Sequence, residues 1–143
     1  MKRLKIFVPV MILLLVAGCT VRFLSEYDLV TDTEMTRLAK EVDAYLVSAM
    51  GNIRIYAHRE APDERIYDRW QSEVQILISR AESIPLNSLT VQQLKLLSAS
   101  LSDLHAVDVM GFETVEEVKI FRATFDSIFR AILKLEHAKK REG

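Results

Sequence analysis

One thiol, three imidazoles and a row of carboxylates are the groups in this chain whose type and spacing bear on chemistry. Cys19 is the sole cysteine, so its sulfur is a nucleophile or an attachment point and never half of an intramolecular disulfide. A c-type haem held through C-x-x-C-H and a cysteine-rich zinc site are excluded on the same count. His58, His105 and His137 fall in three different segments, and the residues three before them are Ile55, Ser102 and Lys134. The inward-facing Glu-x-x-His repeat of a di-iron bundle is therefore missing. H-E-x-x-H, G-x-S-x-G, S-x-x-K and G-x-x-x-x-G-K-[ST] are missing too, so no catalytic residue, metal or dissociable cofactor is expected.

The remaining candidates each carry two readings. Asp28, Asp32 and Asp43 fit a cation site near a membrane, or a helix cap followed by a solvated face; the second is expected. Tyr45, Tyr56, Tyr67, Trp70, Phe121 and Phe125 recur at helical spacing, where rings most often fill a core. In the alternative, Tyr67, Trp70, Phe121 and Phe125 line a cavity for an apolar ligand. Lys139, Lys140 and Arg141 near the end of the chain suit the negative end of a helix dipole, with contact to anionic lipid or a polyanion as the alternative.

The surroundings of Cys19 narrow its chemistry. Lys2, Arg3 and Lys5 open the chain, an apolar stretch runs from Ile6 to Ala17, and Ala17 and Gly18 stand just before the cysteine. About a dozen apolar residues interrupted by Pro9 are too few for a transmembrane helix, which needs roughly 20, and have the layout of a cleaved export signal. Val16-Ala17-Gly18-Cys19 resembles the lipobox of bacterial lipoproteins. The resemblance implies cleavage between Gly18 and Cys19, diacylglycerol on the sulfur and an N-acyl chain. One acyl chain gives only marginal, reversible binding, whereas two or three make a stable membrane anchor. Thr20 stands where an Asp would retain such a protein on the inner membrane, which points to the periplasmic face of the outer membrane.

The part after the leader is one domain by length and large enough to bury a core without staples. Without the leader's three basic residues, 16 Lys and Arg face 20 Asp and Glu, a net charge of about −4. A mildly acidic domain with no basic stripe is a poor partner for nucleic acid.

Four segments, marked off by Gly51, Pro62, Pro85 and Gly111, each have the apolar period of a helix. In the first, Thr31 and Glu34 have capping-box spacing, with Asp32 as a rival cap. Ala39, Val42, Leu46, Ala49, Ile53 and Tyr56 follow, with Met35 and Leu38 alongside, and the stripe passes through Gly51 in phase. Pro62 suits the first turn of the second helix, whose stripe is Tyr67, Trp70, Val74, Leu77, Ala81 and Ile84. The third begins near Thr90, which pairs with Gln93 as a capping box, and buries Leu94, Leu97, Leu101 and Leu104 before turning polar at Asp108. Thr114 and Glu117 repeat the box before Val118, Phe121, Phe125, Ile128, Ile132 and Leu135. Helices are thus expected at about 32–59, 62–84, 90–109 and 114–140.

Short connections make successive helices antiparallel neighbours, so the expected fold is an all-α, up-down-up-down four-helix bundle. It follows a signal peptide (1–18) and a short tether (19–31), with the bundle over 32–143. A loosely docked fourth helix, or pairing in a homodimer, is the structural alternative. Tyr27 to Asp32, Ile84 to Thr90 and Ile132 to Lys140 resemble segments of a group of small helical lipoproteins of Gram-negative bacteria. That resemblance implies a helical protein of the cell envelope and no activity for named residues. The expectation for function is a membrane-anchored, non-enzymatic interaction module with an envelope protein as partner. A bundle binding a small apolar ligand is the alternative.

Overall fold

The computed structural model describes residues 24–55 and 61–142. The leader with Gly18 and Cys19, and also Phe23, Tyr56 and His58, lie outside the described residues. Four helices account for nearly all of the rest: α1 (Leu29–Ile55), α2 (Glu64–Glu82), α3 (Ser88–Met110) and α4 (Val115–Glu142). No strand occurs among the described residues, and the chain has the all-α, four-helix architecture expected of it.

The stripes meet in one core. Met35, Leu38, Val42 and Leu46 of α1, Trp70, Val74 and Ala81 of α2, Leu94, Leu97, Leu101 and Leu104 of α3, and Val118 and Ile132 of α4 are all essentially inaccessible. Backbones come closest between α1 and α4, α2 and α3, and α3 and α4. Contacts within these pairs run in opposing order. Asp28 and Asp43 of the α1 side meet Glu136 and Arg122 of α4, and Glu64 and Glu82 of α2 meet His105 and Lys95 of α3.

The wider gap between α1 and α2 is filled by large side chains. Tyr45, Tyr67 and Trp70 pack mutually edge to face, with centroids 5.5 to 5.7 Å apart, a favoured geometry for rings. Beside them Glu41 accepts from the Trp70 indole at 3.2 Å and pairs with Arg37 and Arg69 at 2.6 and 2.8 Å. Burial pushes the Glu41 carboxyl upward, but the bonds from Trp70 and Arg37 outweigh it and leave it below its usual range.

Helix starts differ from expectation at three of the four caps. α1 begins at Leu29, so Thr31 lies inside it; Asp28 caps instead, accepting from the Val30 N–H at 3.1 Å and the Thr31 hydroxyl at 2.8 Å. Asp63 caps α2 through the Arg65 N–H, which puts Pro62 just outside the helix. α3 starts at Ser88 behind Asn87, whose side chain makes no cap bond, and Thr90 is buried inside the helix rather than capping it. The fourth cap is as expected. Thr114 accepts from the Glu117 N–H at 3.2 Å, and Glu117 reaches back to the Glu113 N–H at 2.7 Å. α1 continues through Gly51, and α3 stops at Gly111, whose positive φ of 108° a side chain would resist. Phe112 then turns inward onto Phe121, centroids 5.9 Å apart, and closes that end of the core.

Candidate functional site

Two buried polar networks interrupt the apolar core, one toward each end of the bundle. The first lies where α1 starts, α4 ends and α2 turns into α3. Lys139 and Glu136, one turn apart on α4, form an ion pair whose side chains are 2% and 0% exposed. The Lys139 ammonium also donates to Asn87 Oδ1 and Thr90 Oγ1, both at 2.7 Å, so its three hydrogens all find acceptors. Glu136 in turn accepts from the Asp28 N–H and the Thr90 hydroxyl. Asn87 accepts from Ser25 at 2.8 Å and donates to the Ala81 carbonyl, which ties residues before α1 to the α2–α3 turn. Asp28 completes the set with two bonds from the Arg80 guanidinium, at 2.8 and 3.0 Å. Burial works to raise its carboxyl, and the bonds from Arg80, Thr31 and Val30 overcome this and hold it below the ordinary carboxylate range.

Lys139, Lys140 and Arg141 lie in the last turn of α4, as expected of cations that complement the helix dipole. Lys139 is in addition inside the fold, a burial not expected from the sequence. The signal was present in the spacing. Glu136 and Lys139 lie four and seven residues after Ile132, in phase with the buried stripe.

The second network centres on Asp108, which continues the α3 stripe four residues past Leu104 and is only 4% exposed. Tyr67 donates to it at 2.7 Å, and Tyr45 donates through a short bond to the same oxygen. Burial, with the hydrogen bonds to Tyr45 and Asp108, pushes the Tyr67 hydroxyl far above its ordinary value, so it remains a proton donor. His105 stacks on the Tyr67 ring at 4.4 Å and pairs with Glu64 at 2.8 Å.

The other expected residues are dispersed. His137 faces Asp32 at 3.5 Å, near the opposite network from His105. Among the described residues no group of three or more His, Cys, Asp or Glu is placed to hold a metal ion. Asp28, Asp32 and Asp43 each take their own partner, Arg80, Tyr27 and Arg122, as caps and solvated faces do. Tyr67 and Trp70 share the α1–α2 ring cluster, while Phe121 pairs with Phe112 and Phe125 with Phe129. The rings of Tyr67, Trp70 and Phe125 are almost wholly inaccessible, which is the packing of a filled core.

The surface carries two further features. An open cleft on the last turns of α4 is lined by Lys134, His137, Lys140 and Arg141, with Lys140 also 5.2 Å over the Tyr27 ring. The outward side of α3 carries Leu89, Gln92, Leu96, Ala99, Asp103, Ala106 and Met110, all exposed, in alternating steps of three and four. This second stripe has the spacing of a coiled-coil seam. No helix among the described residues is long and apolar enough to cross a membrane. No family model, curated protein or solved structure matches the chain.

Proposed function

We propose that the chain is a lipoprotein, held through diacylglycerol and an N-acyl chain on Cys19 at the periplasmic face of the outer membrane. Its bundle is a non-enzymatic module that docks a helix of another envelope protein. The leader's order of charge, apolar stretch, small residues and cysteine supports the anchor.

The outward stripe of α3 is the observation that carries the docking role. A surface helix ordinarily turns a charged side to water, as α4 does with Glu116, Lys119, Arg122, Asp126 and Arg130. On α3 the exposed charges are Lys95 and Asp103, while Leu89, Leu96 and Met110 stand out at 51, 56 and 79% exposure. Ala99 and Ala106 lie between them and would let a second helix approach closely. Apolar seams rimmed by polar residues mark interaction surfaces.

A photo-crosslinking residue in place of Leu96, in intact cells, tests the reading. A discrete protein adduct is expected from that position and not from Ala131 on α4. It should disappear when Ala99→Glu is added. An adduct of twice the chain's own mass would identify the partner as a second copy and contradict docking to another protein. Equal adducts from both positions would remove the case for α3.

A further inference from the structure

Resting on the anchor reading above, we infer that the bundle stands on its membrane by the end at which α1 starts. Leu86 is seated in the headgroup region and Lys134, Lys140 and Arg141 lie against anionic headgroups.

The covalent geometry selects this end. Ser25, bonded to Asn87 at the α2–α3 turn, is six residues from Cys19, a reach of at most about 20 Å even when fully extended. The opposite end, with Gly111 and Phe112, lies a full helix length away, and α1 alone has 27 residues at about 1.5 Å each.

The backbone at this end is shaped to present a hydrophobic residue. Leu86, at the tip of the α2–α3 turn, has a φ of 61°, a left-handed conformation that glycine adopts freely and leucine does not. Its side chain is nevertheless 62% exposed and contributes little to the core. Asn87 beside it is buried and bonded to Ser25, Lys139 and the Ala81 carbonyl, so the network under the turn fixes the strained residue. Strain held in place by surrounding contacts, for a residue the core does not use, points to a use outside it. Leu29, Val30 and Leu89 are exposed at the same end.

Charge agrees with the choice. Of the carboxylates at this end, Asp28 turns to Arg80, Glu136 to Lys139 and Asp32 to Tyr27, while Glu26 and Glu82 are exposed away from the α4 cleft's lining. Lys140, Arg141, Lys134 and His137 line the outward cleft, forming a local basic patch on an otherwise acidic domain. A basic patch beside exposed apolar side chains matches an anionic bilayer surface, where each cation near the headgroups adds to binding.

The test uses the full, processed protein reconstituted into vesicles of phosphatidylcholine, alone or mixed with phosphatidylglycerol. Since lipid would occupy the Cys19 sulfur, Leu86→Cys and Val109→Cys each introduce one free thiol for a nitroxide label. Val109 is exposed near the far end. In the mixed vesicles the label at position 86 should collide with oxygen several-fold more, relative to a water-soluble nickel reagent, than the label at 109. Lys134→Glu, Lys140→Glu and Arg141→Glu together should return it toward water, with the helical circular dichroism unchanged. A label at 86 as wet as that at 109, or a shielded 109, overturns the orientation. The intact mass of the same samples separates the two readings. Lipid present with a wet position 86 defeats this inference alone, whereas its absence defeats the anchor and the inference with it.

Discussion

At the scale of single residues, the fold depends most unusually on Lys139, a primary amine enclosed at 3% exposure and paired with Glu136. Removing one member of a buried pair leaves an uncompensated charge and costs about 3 to 5 kcal/mol, whereas replacing both by apolar residues of similar size is often neutral or stabilising. Lys139→Met should therefore lower stability by that amount in urea unfolding, and Glu136→Leu added to it should restore only part of the loss, because the Asp28 N–H and the Thr90 hydroxyl then lose their acceptor. Equal stability of the single variant and the parent would contradict the burial. Asp28 supplies a pH dependence whose sign follows from its partners. Its carboxyl lies below the ordinary value in the folded chain, so its contribution is complete above the unfolded pKa of about 3.9 and disappears as pH falls through the folded value. Asp28→Asn should flatten the acid limb of the stability curve below about pH 4. Asn still caps the helix, and the charge lost opposite the half-exposed Arg80 should cost up to about 1 kcal/mol at neutral pH.

At the scale of elements, periodicity in the chain reveals all four helices and nearly all of their buried apolar positions. Leu94, Leu97, Leu101 and Leu104, read as the α3 stripe, are all fully enclosed. What was not legible has a common physical cause. Thr31 and Thr90 have the local spacing of caps, yet their hydroxyls are buried and bonded to Asp28 and Glu136, and the partners of Thr90 are 46 and 49 residues away. A polar residue in phase with an apolar stripe reads locally as the end of the stripe. It becomes core only when partners from other helices satisfy it, as Tyr45 and Tyr67 do for Asp108. The outward stripe of α3 is hidden in the sequence for the opposite reason, since the stronger inner stripe already accounts for the helix. Because that outer side touches no core, Ala99→Glu should change stability by no more than about 0.5 kcal/mol. The same variant should remove the cross-link from position 96, separating a docking surface from a structural one.

At the scale of the whole molecule, the proposed membrane-facing end and the proposed docking seam are compatible in space. The end carrying Leu86 and the α4 cleft would rest on lipid, and α3 would rise from that end with its seam turned to the side. A partner anchored in or beside the same membrane could then lie along it. The buried networks hold the two ends differently, a charged cluster where the chain emerges from residue 24 and a tyrosine and aspartate cluster at the other. Everything in this arrangement depends on what happens to Cys19. The intact mass of the protein recovered from the envelope tests it most directly. Cleavage between Gly18 and Cys19 is predicted, with added mass equal to diacylglycerol plus one acyl chain, and Cys19→Ala should leave the chain uncut. A chain that keeps its first eighteen residues, or one cut there with a bare Cys19, would contradict the account.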